Sequence, residues 1–357
     1  MITPSPAPVH RLFIGTYTKK ESRGIYSLQL DESTGALTKP VLAAETGNPS
    51  FLALSPDRNF LYAVNDSPTL AVAFSIASGE QPRLKQRGIA PQTISPAPSH
   101  IAVDRTGHIL LVAHFNGAFI AALPIEADGS VGKPGITRHV GHGFDPVRQA
   151  SPHPHSATIS PDNRFALVCD LGLDRILSYP LDPRAAQATA APPRFSTVAP
   201  GAGPRHSSFS PDGRHLYVIN EMGGTITTFL YHPTNGALAE LGSTSTLPGD
   251  FTGQNTTAEV RVHPNGKFVY GSNRGHDSIA VFARDQITGL LSRLAIVPCG
   301  GQHPRHFSIS PPGTWLVCAN MNSDSLTVFR IDPETGLLTR VPESAHVSMP
   351  VCVLFYD

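Results

Sequence analysis

A 17-residue window recurs six times along this chain without a gap, and few folds are compatible with that repeat. The copies are PSFLALSPDRNFLYAVN (49–65), PSHIAVDRTGHILLVAH (98–114), PHSATISPDNRFALVCD (154–170), PRHSSFSPDGRHLYVIN (204–220), TAEVRVHPNGKFVYGSN (257–273) and PRHFSISPPGTWLVCAN (304–320). Successive starts lie 49, 56, 50, 53 and 47 residues apart. Each copy reads as two short strands joined by a tight turn, of which SPDGR, with its Pro-Asp-Gly core, is the clearest. A third strand follows, such as TITTFLY (225–231), SIAVFAR (278–284) or SLTVFRI (325–331). Turns carrying Thr-Gly or Asn-Gly, as in DESTGAL, HPTNGAL, RDQITGL and DPETGLL, then lead into a fourth. Four antiparallel strands in a period near fifty residues make the blade of a β-propeller.

A seventh copy is divided between the termini. MPVCVLFYD (349–357) reads as a first strand that stops at the chain end, RLFIGTY (11–17) as a second and GIYSLQL (24–30) as a third. The expectation is all-β: a seven-bladed β-propeller closed by pairing of its N- and C-terminal strands, with 11–357 as one domain and 1–10 as a flexible N-terminus. Closure of this kind leaves the ring no open end.

Composition fits a turn-rich all-β chain. Of 357 residues, 40% are hydrophobic and only 15% charged, while Gly (31) and Pro (34) are plentiful. Lys plus Arg equals Asp plus Glu at 27 each, so no net field favours nucleic acid and charge must be read locally. Cys169, Cys299, Cys318 and Cys352 show no C-x-x-C spacing, and two of them sit inside apolar strand patterns, as buried reduced thiols would. No signal-like or membrane-length apolar run is seen, which predicts a soluble cytoplasmic protein, monomeric or weakly oligomeric, with no membrane or nucleic-acid partner.

In a blade the first strand lines the central channel, so window positions 1 to 3 and everything from position 17 onward converge on one channel mouth. Position 2 is Ser50, Ser99, His155, Arg205, Ala258 and Arg305; position 3 is Phe51, His100, Ser156, His206, Glu259 and His306. After position 17 come Asp66, Phe115, Leu171, Glu221, Arg274 and Met321. The recurring Asn at position 17 is expected to be architectural, and the recurring His at position 3 fits either a structural or a functional role. Arg205, Arg305, Arg274, Glu221 and His155 break the repeat, and architecture does not require them. Charged groups gathered in a concavity of a charge-poor protein point to a binding site. His139, His142, His153 and His155 could instead share a metal, but no carboxylate triad or Cys cluster completes a familiar ligand set, so neither metal nor cofactor is expected.

The segments PHSATISPDNRF, GPRHSSFSPDGRHLYVINE, AEVRVHPNGKFVYGSNRGHDSIAVF and RLFIGTYT resemble the lactonase family of seven-bladed propellers, from Arg11 to Tyr356. That family includes propeller-type 6-phosphogluconolactonases and carboxy-cis,cis-muconate cyclases. By this resemblance His155, Arg205, Glu221 and Arg274 are the catalytic residues, and the GFDPVRQASPHPH loop adds Arg148, Gln149 and His153 to Arg305, His306 and His206 as substrate-binding residues. The resemblance implies hydrolysis of a small anionic sugar lactone, with 6-phosphogluconolactone foremost. Glu221 or His155 would serve as general base, while Arg205 and Arg274 hold the phosphate and polarise the carbonyl. A lactonising cyclase and a non-catalytic binding propeller are the alternatives. No G-x-S-x-G nucleophile motif is present.

Overall fold

The computed structural model describes residues 8–65, 71–77, 79, 82–89, 98–182, 187–188 and 193–356. Among them are seven antiparallel sheets arranged as the blades of a propeller. Blade 5 shows the plan: Pro204–Phe209 is innermost, followed outward by His215–Asn220, Thr225–His232 and Ala237–Ser245. Blades 2, 3, 4, 6 and 7 have inner strands Leu52–Leu54, Pro98–Val103, Pro154–Ile159, Thr256–Val262 and Pro304–Ile309. Blade 4 carries an extra two-residue strand, Gln187–Ala188, against Arg175–Asp182. Apart from the 3-10 turn Leu171–Leu173, no helix occurs among the described residues, and none is long and apolar enough to cross a membrane.

The split blade closes as its sequence predicts. Pro350–Phe355 is the inner strand of blade 1, paired antiparallel with Val9–Thr16, then Gly24–Asp31 and Val41–Glu45. Partners run from Leu12 opposite Phe355 to Thr16 opposite Pro350. Tyr17 N–H donating to Met349 O (3.0 Å) and Tyr356 N–H to Arg11 O (2.8 Å) extend the ladder at both ends. The first strand begins at Val9, two residues earlier than the sequence suggests, with His10 bound to Glu32 at 2.8 Å.

Between blades lies the core. Leu12, Ile14 and Val353 of blade 1 pack against Val317, Leu326 and Val328 of blade 7, all buried. The outer turns lock the same seam. Gly35, at φ +76°, lies flat against the Trp315 ring, where any Cβ would collide, and Trp315 Nε1 donates to Glu32 O at 3.0 Å. In blade 5, Gly213 takes φ +71° at the corner of the SPDGR turn, and Asp212 ties Ser210 and the Arg214 N–H. Position-17 asparagines are architectural: Asn220 Nδ2 donates to the hydroxyls of Thr225 and Thr227 on the third strand, and Asn320 Nδ2 to that of Thr327. All four cysteines are buried free thiols.

Removing residues 349–357 strips blade 1 of its inner strand and exposes the edge of Val9–Thr16 on one side of an opened ring. The truncated chain should lose its cooperative melt and elute as aggregate in gel filtration. A soluble monomer with an unchanged transition would contradict closure as the stabilising device.

Candidate active site

One irregularity, repeated around the ring, builds the channel mouth. In blade 5 Pro204 pairs with Asn220 and His206 with Ile219, so Arg205 is an extra residue with no partner. The same slip sets out Ser99 in blade 3, His155 in blade 4, Arg305 in blade 7 and Val351 in blade 1; in blade 6 it spans Ala258 and Glu259. A bulge breaks the two-residue alternation of a strand and re-aims a side chain. Adjacent residues that would otherwise face opposite ways therefore both reach the channel: Arg205 with His206, and Arg305 with His306. Proline before the bulge suits a strand start, where its missing N–H is not needed. Residues at the ends of the second strands, including Glu221 and Arg274, come in from the side. Together they line a cavity of about 560 Å³.

Glu221 is the electrostatic hub. Its Oε2 accepts from Arg205 Nε at 3.0 Å and lies 2.8 Å from Arg274 Nη2, while Oε1 accepts from Arg148 Nη2 at 2.6 Å. Arg205, Arg274 and Glu221 are all buried. Burial alone would raise the Glu221 carboxyl, but the charges of Arg274 and Arg205, with the Arg148 hydrogen bond, outweigh it and hold the group well below the usual carboxylate range. Burial, then the neighbouring Arg274 and Arg305 charges, lower Arg205 to about 9, which leaves it charged at neutral pH. Backbone carbonyls fix both guanidiniums: Arg205 Nη1 donates to Ala258 O and Arg274 Nη2 to Thr257 O, each at 2.6 Å. Arg205 Nη2 and Arg274 Nη1 keep their donors free of protein partners among the described residues.

The floor of the cavity is a ring of aromatic and imidazole groups. Phe51 packs against His100 at 4.0 Å between centroids, the rings tilted by 34°, and meets His206 and His306 edge-on at 5.6 and 5.4 Å. Glu259, buried in the channel, lies 2.8 Å from His206 Nδ1 and 3.2 Å from His306 Nε2. Below this layer a second cavity of about 600 Å³ opens at the opposite mouth. His155 stands on the wall above, with its Nδ1 buried and unpartnered. Burial, followed by the Arg205 charge, depresses its pKa well below the ordinary histidine value, so its imidazole is neutral at pH 7.

His155, Arg205, Glu221, Arg274, Arg305, His306 and His206 thus share one cavity, as the repeat alignment suggests. Arg148 reaches Glu221 from the 139–153 loop with its side chain half exposed. Gln149 departs from the expected substrate-binding role. It is fully buried, its Nε2 donates to Leu171 O and Asp174 Oδ1 (both 2.7 Å), and its Oε1 accepts from Asp145 N–H, so its amide is spent on holding the loop. His153 likewise stays outside the cavity lining, stacked on Phe115 at 4.4 Å as a support for that wall. His139 is committed to Asp170 (2.5 Å) and Tyr179, His142 is exposed, and among the described residues no group of three or more His, Cys, Asp or Glu side chains is arranged so that it could hold a metal ion. Tyr17 and Lys19 line the cavity without having been singled out by sequence. Thr16 pairs with Pro350 as Asn220 pairs with Pro204, which puts Tyr17 in the register of Glu221 and Arg274. Asp66, which follows Asn65 in the repeat alignment, lies outside the described residues.

The profile of the family described as "Lactonase, 7-bladed beta-propeller" matches residues 11–355. The chain belongs to this family. A 6-phosphogluconolactonase of Bacillus subtilis is 36% identical over 348 residues, covering 96% of this chain and 97% of the relative. One from Serratia proteamaculans is 31% identical over 291 residues, covering 81% and 82%. Among solved structures, the periplasmic gluconolactonase of Pseudomonas aeruginosa superposes with a TM-score of 0.89 at 31% identity, covering 98% of this chain and 99% of that one.

Two outcomes follow for stability in this lactonase-family site. Glu221→Gln removes the carboxylate that bridges two buried guanidiniums, so it should destabilise the fold by about 3 kcal/mol or more, whereas the half-exposed Arg148→Ala should cost less than about 1 kcal/mol. Equal melting temperatures for the two variants would refute the hub. The pH limb follows from the histidines. His100, His155 and His206 are depressed in the fold, His306 is lowered to about 3 and His303 to about 4, in each case chiefly by burial. Below about pH 6.5 the unfolded chain takes up protons that the fold refuses, so stability falls as pH drops towards those lowered values. Glu221 acts at the acid end: its contribution is present above about pH 4.3 and is lost as pH falls through its depressed value. The melting temperature should therefore decline from pH 6.5 downward, and a flat profile between 6.5 and 4.5 would contradict the neutral cluster.

Proposed function

We propose that this protein hydrolyses a sugar lactone, with 6-phosphogluconolactone as its substrate. The observation that carries the reading is the pair of guanidiniums pinned by Glu221 beside a neutral, unpartnered imidazole in a cavity of suitable size. The names of the relatives favour the same substrate class.

Arg205 Nη2 and Arg274 Nη1 receive the lactone carbonyl oxygen and stabilise the negative charge that develops on it. His155 is the general base. Water attacks the carbonyl carbon while the imidazole takes its proton; the tetrahedral intermediate collapses, the ring C–O bond breaks, and the proton returns to the leaving sugar hydroxyl. The product is an aldonic acid, ionised at neutral pH. Glu221 does not serve as the base. Both its oxygens are occupied by guanidinium groups, and a carboxylate held so far below its ordinary range accepts protons poorly. Its part is to hold two like charges side by side. Four buried thiols support a reducing, cytoplasmic setting.

Acid release from 6-phosphogluconolactone, measured against spontaneous hydrolysis and beside a muconolactone control, tests the reading. The wild-type protein should accelerate opening of the sugar lactone only, and His155→Asn should lower kcat by roughly 10²-fold or more. A wild-type rate equal to the spontaneous one, or preference for muconolactone, would overturn it.

A further inference from the structure

The cavity and its rim hold five cationic side chains, and they fall into two groups. Arg148, Arg205 and Arg274 converge on Glu221. Lys19 and Arg305 stand beyond Arg274, where blades 7 and 1 meet, and neither has an ion-pair partner among the described residues. Adjacent Lys20 provides the contrast, since it is paired with Asp324 at 2.9 Å. What holds Lys19 and Arg305 is a shared aromatic ring. Lys19 Nζ lies 5.1 Å and Arg305 Cζ 5.5 Å from the centroid of Tyr17. Arg305 is a bulge residue, aimed inward by the register slip of blade 7, and Tyr17 occupies in blade 1 the place that Glu221 and Arg274 hold in theirs.

We infer that Lys19 and Arg305, set on Tyr17, form the subsite for a phosphate monoester carried by the lactone. This rests on the lactonase reading and moves the phosphate away from Arg205 and Arg274, where sequence reasoning puts it. Those two guanidiniums have a carboxylate and backbone carbonyls already bound, and their remaining donors suit a single carbonyl oxygen. A phosphate dianion needs more charge than they have left over. An unpaired guanidinium fork and an ammonium supply two positive charges and several donors without breaking any existing bond. A Tyr platform steers both cations but leaves their outer donors open. Arg305, Arg205, Arg274 and His155 line the same cavity, so one substrate can reach both subsites. A phosphorylated sugar lactone would then lie along one arc of the channel mouth, carbonyl towards blades 5 and 6 and phosphate towards blades 7 and 1. An unphosphorylated lactone would use only the first half.

The test compares kcat/KM for 6-phosphogluconolactone with that for gluconolactone, together with calorimetric binding of the two open acids. Wild type should favour the phosphorylated ligand in both measurements, and rising salt should narrow the difference. Lys19→Ala and Arg305→Ala should each reduce that ratio by about tenfold, and the double variant by about 10²-fold. Lys19 is exposed, so its variant keeps the fold, and melting curves check Arg305→Ala. His155→Asn should slow both lactones to the same extent and leave acid binding selective. Variants that lower both lactones equally, or a wild type that binds both acids equally, would overturn the subsite. The two claims fail separately. Selective acid binding without turnover would keep the subsite and remove the hydrolytic reading, and turnover without selectivity would do the reverse.

Discussion

The pairing of residues 12–16 with 350–355 is the constraint on which the whole ring depends. Each blade buries its faces only against its two neighbours, so the ring has no self-sufficient part smaller than the closed circle. The seam between blades 7 and 1 is strengthened three ways: by the strand ladder, by the apolar layer around Val317 and Val353, and by Trp315 seated on Gly35. Closure also shapes the site. It delivers Tyr17 from one end of the chain and Val351 from the other to the same cavity as Arg305. A long-range pairing of this kind has a high loop-closure cost during folding, and the local hairpins of the six intact blades can form before it.

A seven-fold ring offers equivalent positions, and function enters where equivalence fails. The bulge at position 2 is common to most blades, so the backbone device is architectural. What differs is the residue placed on it: Ser99 and Val351 are uncharged, whereas His155, Arg205 and Arg305 bring titratable or charged groups. Hydroxyl groups then stitch the inner strands together. Ser99 Oγ donates to His155 O at 2.8 Å and Ser156 Oγ to Arg205 O at 2.7 Å, so the bulged residues are fixed by the blade before them. Rigidity of this sort keeps like charges in place before any substrate arrives.

Blade count, strand order and ring closure were legible because each depends on local signals, namely apolar alternation, Pro-Asp-Gly corners and a fixed period. The convergence of His155, Arg205, Glu221, Arg274 and Arg305 was legible by counting positions, since register carries over from blade to blade. Gln149 was not. The 139–153 loop has no periodicity, and nothing in its residues distinguishes an amide facing a ligand from one tying Leu171 to Asp174. Tyr17 and Lys19 were hidden by the break in the seventh copy, where second-strand residues precede their first strand by more than three hundred positions. Glu259 stood in the alignment at position 3, but its partners His206 and His306 come from two other blades, so its pairing could be seen only in space.

The division of labour between Glu221 and His155 follows from competition between desolvation and charge. Burial penalises every ionised group at the mouth, and a lone buried carboxylate would be driven towards its neutral form. Three guanidiniums reverse that for Glu221, at the expense of its basicity. His155 experiences the same burial and the same positive field, but for an imidazole both act in one direction, against the proton. A cluster rich in arginine therefore keeps its carboxylate ionised and its histidine neutral at the same pH. In the proposed reaction, a substrate oxyanion forming between Arg205 and Arg274 would add a negative charge to that field, which would make protonation of His155 easier at the moment the water must lose its proton. On that proposal the arginines that keep His155 neutral in the resting site are the groups whose neutralisation would release it as a base, and proton transfer would be coupled to carbonyl attack rather than preceding it.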